Sequence, residues 1–114
     1  MLPVPFKTDT VHGGFSEAHG TIRVDGEQVV VEVQVKTLGM ISGAARSFRF
    51  DVTDLDTVEH SRGLLRDRLT LRTRPMHHAT QMPGGAEGRF QVTVRRRDRR
   101  ALDAFLDRID LWIV

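Results

Sequence analysis

The sequence predicts one α+β domain that is mostly β, with six or seven antiparallel strands in a barrel or sandwich closed by a C-terminal amphipathic helix. Three observations support this fold class. Apolar and polar residues alternate with a period of two over most of the chain, turns containing glycine or proline separate these runs, and a helical period replaces them after residue 98. The length of 114 residues also fits one domain.

The N-terminal segment is predicted to lie outside this domain. Pro3 and Pro5 disfavour a helix, and two glycines follow at positions 13 and 14. The sequence therefore predicts an extended arm over residues 1–14 and a domain over residues 15–114.

The first predicted hairpin covers Phe15–Lys36, where the period of two is strongest. Asp25-Gly26 interrupts the alternation, and such a pair is typical of a tight hairpin turn in which both central residues have positive φ. A glycine-containing loop is then predicted over residues 37–43. This loop carries three apolar side chains, Leu38, Met40 and Ile41.

The next five predicted segments are shorter. A third strand has Phe48, Phe50 and Val52 facing inward, and a turn at residues 54–59 leads into a fourth. The strand at residues 66–74 ends at Pro75, residues 76–82 form a short strand or a loop, and the last strand is marked by Phe90, Val92 and Val94.

A helix is predicted from Asp98 to about Asp110. Its apolar residues follow the spacing i, i+3, i+4, i+7 and i+11, which is typical of an amphipathic helix: Leu102, Phe105, Leu106, Ile109 and Ile113. Asp98 stands where an N-cap or first-turn carboxylate is expected. Residues 111–114 are expected to pack back onto the sheet.

Three segments carry a resemblance to a known family: Ser47–Glu59, Arg68–Thr73 and the helix at Arg97–Ile109. Their order resembles the pleckstrin-homology-like (PH-like) fold, in particular the small bacterial PH-like proteins, over Phe15–Asp110. The resemblance implies a binding or assembly module that is not an enzyme. For bacterial relatives it implies self-association or protein binding.

The sequence departs from the phosphoinositide-binding members of that family at one loop. In those members, lysines and arginines around the loop between the first two strands bind the ligand. Here the Asp25-Gly26 turn is followed by Glu27, and only Arg23 lies nearby. Phosphoinositide binding in that pocket is therefore not expected.

The basic residues are concentrated near the helix start. The net charge is only +2, although the pI is near 9.9. The pI is high because 15 of the 17 basic residues are arginine, which stays protonated to high pH. The candidate anion-binding residues are Arg95, Arg96, Arg97, Arg99 and Arg100. Pairing of these arginines with nearby carboxylates is the alternative. Contact with a membrane surface is a weaker alternative. Specific nucleic-acid binding is not predicted, because the chain lacks tyrosine and its phenylalanines mostly face inward.

Composition and motifs argue against catalysis and metal binding. The absence of cysteine excludes disulfide scaffolds, thiol nucleophiles and thiolate zinc sites. The five histidines lack metal-ligand spacing, and His77 and His78 would point to opposite faces of a strand. Asp54 and Asp56 would share a face but need a cleft to act as acid and base. No catalytic residue, cofactor or metal is predicted.

The leading functional hypothesis is a self-associating interaction module, with a second copy or another protein as its partner. Leu38, Met40 and Ile41 are the candidate interface, together with open strand edges. The alternative is binding of phosphate, a lipid head group or an acidic protein through the arginine cluster. Residues 1–6 lack the features of a signal peptide, and no apolar run approaches the ~18 residues of a membrane span, so the sequence predicts a cytoplasmic protein.

Overall fold

The computed structural model describes residues 2–11, 16–37, 40–83 and 85–110. The strands are β1 (Val4–Val11), β2 (Ser16–Asp25), β3 (Gln28–Thr37), β4 (Met40–Asp51), β5 (Leu55–Ser61), β6 (Arg66–Thr73) and β7 (Arg89–Arg95). The helices are α1 (Met76–Thr80) and α2 (Arg99–Asp110). Two 3-10 turns, Val52–Asp54 and Arg96–Asp98, precede β5 and α2.

The seven strands form one antiparallel sheet in the order β4-β3-β2-β1-β7-β6-β5. Two meanders, β1–β4 and β5–β7, join where β1 pairs with β7, and Lys7 lies opposite Thr93 there. β4 and β5 lie at the two ends of the strand order. The coarse prediction is confirmed: the fold is mostly β, with antiparallel strands followed by a C-terminal helix.

The N-terminal segment is extended, as predicted, but it is a strand within the sheet. β1 pairs with β2 from Val4 opposite Ile22 to Thr8 opposite Ala18, and Val4 is fully buried. Pro5 favoured an arm because proline has no N–H for a strand ladder. The described pairing of β1 with β7 is restricted to Lys7, so Pro5 does not interrupt that ladder.

The β2–β3 hairpin is confirmed, although its turn lies one residue later than predicted. Asp25 pairs with Gln28, so the two loop residues are Gly26 and Glu27. Of these two, only Gly26 has a positive φ, at 62°. Glycine at the first central position is typical of a type II′ turn, whereas the predicted turn required positive φ at both positions.

The strand β1 also changes which loop joins the first two strands. Residues 12–15 connect β1 to β2 in the sequence and lie outside the described residues. The Asp25-Gly26 turn, which the sequence analysis compared with the ligand-binding loop of phosphoinositide-binding domains, therefore lies in the second hairpin, between β2 and β3.

The predicted loop at residues 37–43 is mostly strand. Met40 begins β4 and pairs with Thr37 at the end of β3, and Ile41 pairs with Lys36. The alternation was hidden because Gly39, Ser42 and Gly43 are poor strand formers. Leu38 and the side chain of Ile41 lie outside the described part of the chain.

The segment after β6 is the helix α1, where the sequence suggested a strand or a loop. Five residues are too few for helical periodicity to stand out. The expectation that His77 and His78 point to opposite faces is therefore wrong, and their ring centroids are 4.3 Å apart. α2 begins at Arg99, one residue after the predicted cap. Residues 111–114 lie outside the described residues.

The core lies under the inner face of the sheet, where α2 packs. The inward strand residues predicted from alternation are buried: Phe48, Phe50, Val52, Leu69, Leu71, Phe90, Val92 and Val94. Leu102, Phe105 and Ile109 of α2 complete this core. Among the described residues, no helix has the length and apolar character needed to cross a membrane.

Candidate anion-binding surface

A cleft of about 240 Å³ opens where β1, β2, β6, β7 and the turn Arg96–Asp98 meet. Its charged lining residues are Lys7, Arg66, Arg95, Arg97 and Asp98, and His19 also lines it. Among the described lining residues, four side chains are cationic and one is a carboxylate, so cations outnumber carboxylates there. A cleft with this surplus concentrates anions.

Strand alternation places the basic side chains on the outer face. Leu69 of β6 and Val94 of β7 face the core. Residues one position out of phase with them face outward. The same alternation along β1 and β2 directs Lys7 and His19 to this face. The pairing of β1 with β7 therefore brings basic side chains from both meanders together at the cleft.

The β1–β2 side of the cleft is partly neutralised. Glu17 Oε2 lies 2.8 Å from His19 Nε2, and Glu17 Oε1 lies 3.5 Å from Lys7 Nζ. The hydrogen bond from His19 lowers the pKa of Glu17, and Lys7 lowers it further against an opposing effect of desolvation. The positive surplus therefore lies on the β6–β7 side.

The positive charge extends beyond the cleft over the outer face of β6 and β7. We call this the basic face; its members are Arg66, Arg68, Arg72, Arg89 and Arg95, all exposed. In register, Arg66 lies opposite Arg95, and Arg72 lies opposite Arg89. Within the described residues, Arg68, Arg72, Arg89 and Arg95 form no ion pair.

The charge of the basic face is not uniform along the strands. At one end, Arg72 lines a second, more open cleft together with Asp56 and Glu87. At the other end, Arg66 and Arg95 share the first cleft with Asp98, the one carboxylate among its described lining residues. The surplus is therefore greatest at the cleft end.

The structure separates the five arginines of the predicted cluster. Arg95 and Arg97 line the cleft, and Arg97 Nε lies 3.9 Å from Asp98. Arg96 is exposed, and its backbone N–H donates to the Leu65 carbonyl at 3.2 Å. Arg100 is exposed on α2. Arg99 instead directs its guanidinium toward a buried carboxylate on β6.

That carboxylate is Asp67, which the sequence analysis did not select. Its side chain is fully buried and accepts hydrogen bonds from Arg99 Nε at 3.0 Å and Arg99 Nη2 at 2.6 Å. His60 Nε2 lies 3.1 Å from Asp67 Oδ2, and the Gly63 N–H donates to Oδ1 at 3.4 Å. Hydrogen bonding by Arg99 lowers the pKa of Asp67 from 3.8 to about 2, against desolvation and with help from His60 and Gly63. The carboxylate therefore stays ionised.

The sequence did contain a signal for Asp67. It lies in phase with Leu69 and Leu71, which were assigned to the buried face of the strand. A carboxylate at an inward position needs a cationic partner, because burial of an unpaired charge is costly. The identity of that partner could not be read from the sequence, since Arg99 is 32 residues away.

The Asp67–Arg99 pair fixes the turn between β5 and β6. Arg99 Nη2 donates to the Gly63 carbonyl at 2.9 Å, and Arg62 donates to Asp103 of α2 at 2.8 Å. A Cβ at Gly63 would lie 2.2 Å from the Arg66 carbonyl oxygen, so only glycine fits this turn. Hydrogen bonds with Arg99 and Asp103 therefore hold the turn against α2.

The other candidate residues do not form one site. Asp54 Oδ2 lies 3.3 Å from His78 Nε2, whereas Asp56 lies 3.8 Å from Arg74. The ring of His78 also stacks on Phe50, with centroids 5.5 Å apart. In the described part of the chain, no three histidine or carboxylate side chains are arranged to hold a metal ion.

Comparison with known proteins adds no family assignment. No protein-family model matches the chain, and the searches of curated proteins and of solved structures found no match either.

Proposed function

We propose that the protein is a non-enzymatic binding module that holds anionic groups in the cleft between β1 and β7. The observation that carries this proposal is the arginine-rich lining on the β6–β7 side of the cleft, where Arg95 forms no ion pair with a described residue and Arg97 Nε lies 3.9 Å from Asp98. Arginine suits this role because its planar guanidinium donates paired hydrogen bonds to phosphate or carboxylate. The volume is below the roughly 300–1,000 Å³ of pockets for drug-sized ligands, so phosphate-sized groups fit best.

A PH-like architecture remains part of this proposal. A four-strand meander, a three-strand meander and a C-terminal helix support it. The resemblance implies a binding or assembly role without catalysis, which agrees with an anion-binding cleft.

Titration calorimetry with inorganic tripolyphosphate tests the proposal. We expect binding at about 20 mM salt that weakens about tenfold or more at about 200 mM, because salt screens exposed charges. The double variant R95Q/R97Q should lose most of this affinity. The matched control R23Q/R49Q removes two arginines from β2 and β4 and should bind like the wild type. Equal loss in both variants, or no binding at low salt, would contradict the proposal.

Self-association is the second candidate function. β4 is an edge strand of twelve residues, and Met40 at its start is 75% exposed. An edge strand offers unpaired N–H and C=O groups to a second copy. We expect sedimentation velocity to show a dimer that Met40→Lys weakens. A monomer at every concentration would exclude this candidate.

A further inference from the structure

The turn between β5 and β6 exposes two neighbouring leucines. Leu64 is 81% exposed and Leu65 is 75% exposed. Leu2 and Met40 are the other large apolar side chains this exposed in the described residues. We call residues 62–65 the leucine tip. An adjacent exposed pair forms an apolar patch that a partner surface can cover, because burial of each leucine is favourable.

The backbone beneath these leucines is held in place. Both the N–H and the carbonyl of Gly63 are bonded to the Asp67–Arg99 pair, and the Leu65 carbonyl accepts the Arg96 N–H. The exposed leucines are therefore presented by an ordered turn. A fixed turn loses little conformational entropy when its side chains are buried by a partner, which favours binding.

Basic residues lie next to the leucine tip. Arg66 follows it directly, and the bond between Arg96 and Leu65 brings the turn Arg96–Asp98 against it. Arg95 and Arg97 line the cleft beside Arg66. Among the described carboxylates nearby, Asp67 is buried against Arg99, Asp103 accepts from Arg62, and Asp98 lies 3.9 Å from Arg97 Nε.

We infer that the leucine tip docks on an anionic lipid bilayer. Leu64 and Leu65 enter the boundary between head groups and acyl chains, while Arg95 and Arg97 contact lipid phosphates. Two adjacent apolar side chains next to exposed arginines complement such a surface in both hydrophobicity and charge. This inference rests on the proposed function, because it names lipid head groups as the source of the anion.

Co-sedimentation with vesicles tests this inference. The probes are vesicles of phosphatidylcholine alone and vesicles with about 30% phosphatidylglycerol, which supplies the negative surface. We expect the wild type to partition at least about tenfold more strongly onto the anionic vesicles. The variant L64S/L65S should lose about tenfold or more of that binding, because both insertions are removed. Leu2→Ser, which removes an equally exposed apolar side chain just before β1, should partition like the wild type.

The same variants separate this inference from the proposed function. L64S/L65S should retain wild-type affinity for tripolyphosphate and a wild-type thermal midpoint, since both leucines are exposed. Wild-type vesicle binding by L64S/L65S would overturn the bilayer inference, and so would wild-type protein that binds tripolyphosphate but not anionic vesicles. Either result leaves the anion cleft intact. Failure of R95Q/R97Q to weaken tripolyphosphate binding would instead overturn the proposed function.

Discussion

The two meanders carry arginines on their outer faces, but in different electrostatic surroundings. On the first meander, Arg23 pairs with Glu32 at 2.8 Å and Arg49 lies 3.5 Å from Asp25. Val30 lies between these arginines in register and is fully buried, although it is out of phase with the core residues. Here the arginines are neutralised, and their stems can cover an apolar side chain.

On the second meander, arginine lies opposite arginine. Arg66 faces Arg95 and Arg72 faces Arg89, where the first meander has arginine beside a carboxylate. Like charges directly opposite one another destabilise a strand pair. An arginine that lies opposite another arginine is therefore a better candidate for anion binding than one that lies beside a carboxylate. The number of arginines along the sequence does not reveal this difference.

The largest effect is expected from Asp67→Asn. This change leaves the partly buried Arg99 without its carboxylate and should lower the free energy of unfolding by about 3–5 kcal/mol. Urea denaturation at neutral pH measures it. Asp103→Asn is the matched control, because its pair with Arg62 is exposed and should contribute at most about 1 kcal/mol. Similar losses in the two variants would contradict a special role for Asp67.

The pH dependence of the free energy of unfolding should also show the contribution of Asp67. The folded pKa of Asp67, about 2, lies below its ordinary value of 3.8. Its contribution is therefore present above about pH 4 and lost as the pH falls through about 2, and it amounts to about 2 kcal/mol. Urea denaturation across this range should show a steeper loss for the wild type than for Asp67→Asn. Parallel curves would contradict the assignment.

Val30→Ala tests the buried valine of the first meander. We expect a loss of about 2 kcal/mol in the free energy of unfolding, because a fully buried side chain is truncated on the outer face. Val35→Ala on the same strand is the control, since Val35 is only partly buried and should lose less. A loss no greater than that of the control would mean that the arginines do not cover Val30.

The smallest changes in stability are expected from single arginine substitutions on the outer faces of the two meanders. Arg23→Gln breaks a pair with Glu32 and should cost about 0.5 kcal/mol at low salt. Arg72→Gln removes repulsion from Arg89 and should leave stability unchanged or slightly increased. Thermal unfolding at low and high salt measures both. Destabilisation by Arg72→Gln equal to that by Arg23→Gln would contradict the difference between the faces.

Local patterns were enough to predict much of the fold. The β2–β3 hairpin, the inward face of β6 and the helix α2 follow from periods of two or 3.6 residues within short windows. The strand β1 could not be predicted in this way. Its place in the sheet depends on the pairing of Lys7 with Thr93, which are 86 residues apart, and two prolines obscured its alternation.

The candidate site was predictable only in part. Arg95 and Arg97 were found because they are adjacent to other arginines in the sequence. Arg66 and Lys7 join them only through the register of four strands, which no local pattern specifies. Arg99 looked equivalent to its neighbours, but helix α2 directs it to Asp67 instead. Exposure of Leu64 and Leu65 likewise depends on a turn fixed by distant residues.

The central claim is that anions bind the cleft where β1 meets β7 and not the outer face around Arg23 and Arg49. An amide NMR titration of the wild type with tripolyphosphate tests it most directly. We predict saturable shifts at residues 6, 7, 66–68 and 93–98, which surround the cleft, while the amides of Arg23, Glu32 and Arg49 stay unshifted. Shifts of equal size at Arg23, Glu32 and Arg49, or shifts centred on β3 and β4, would contradict it.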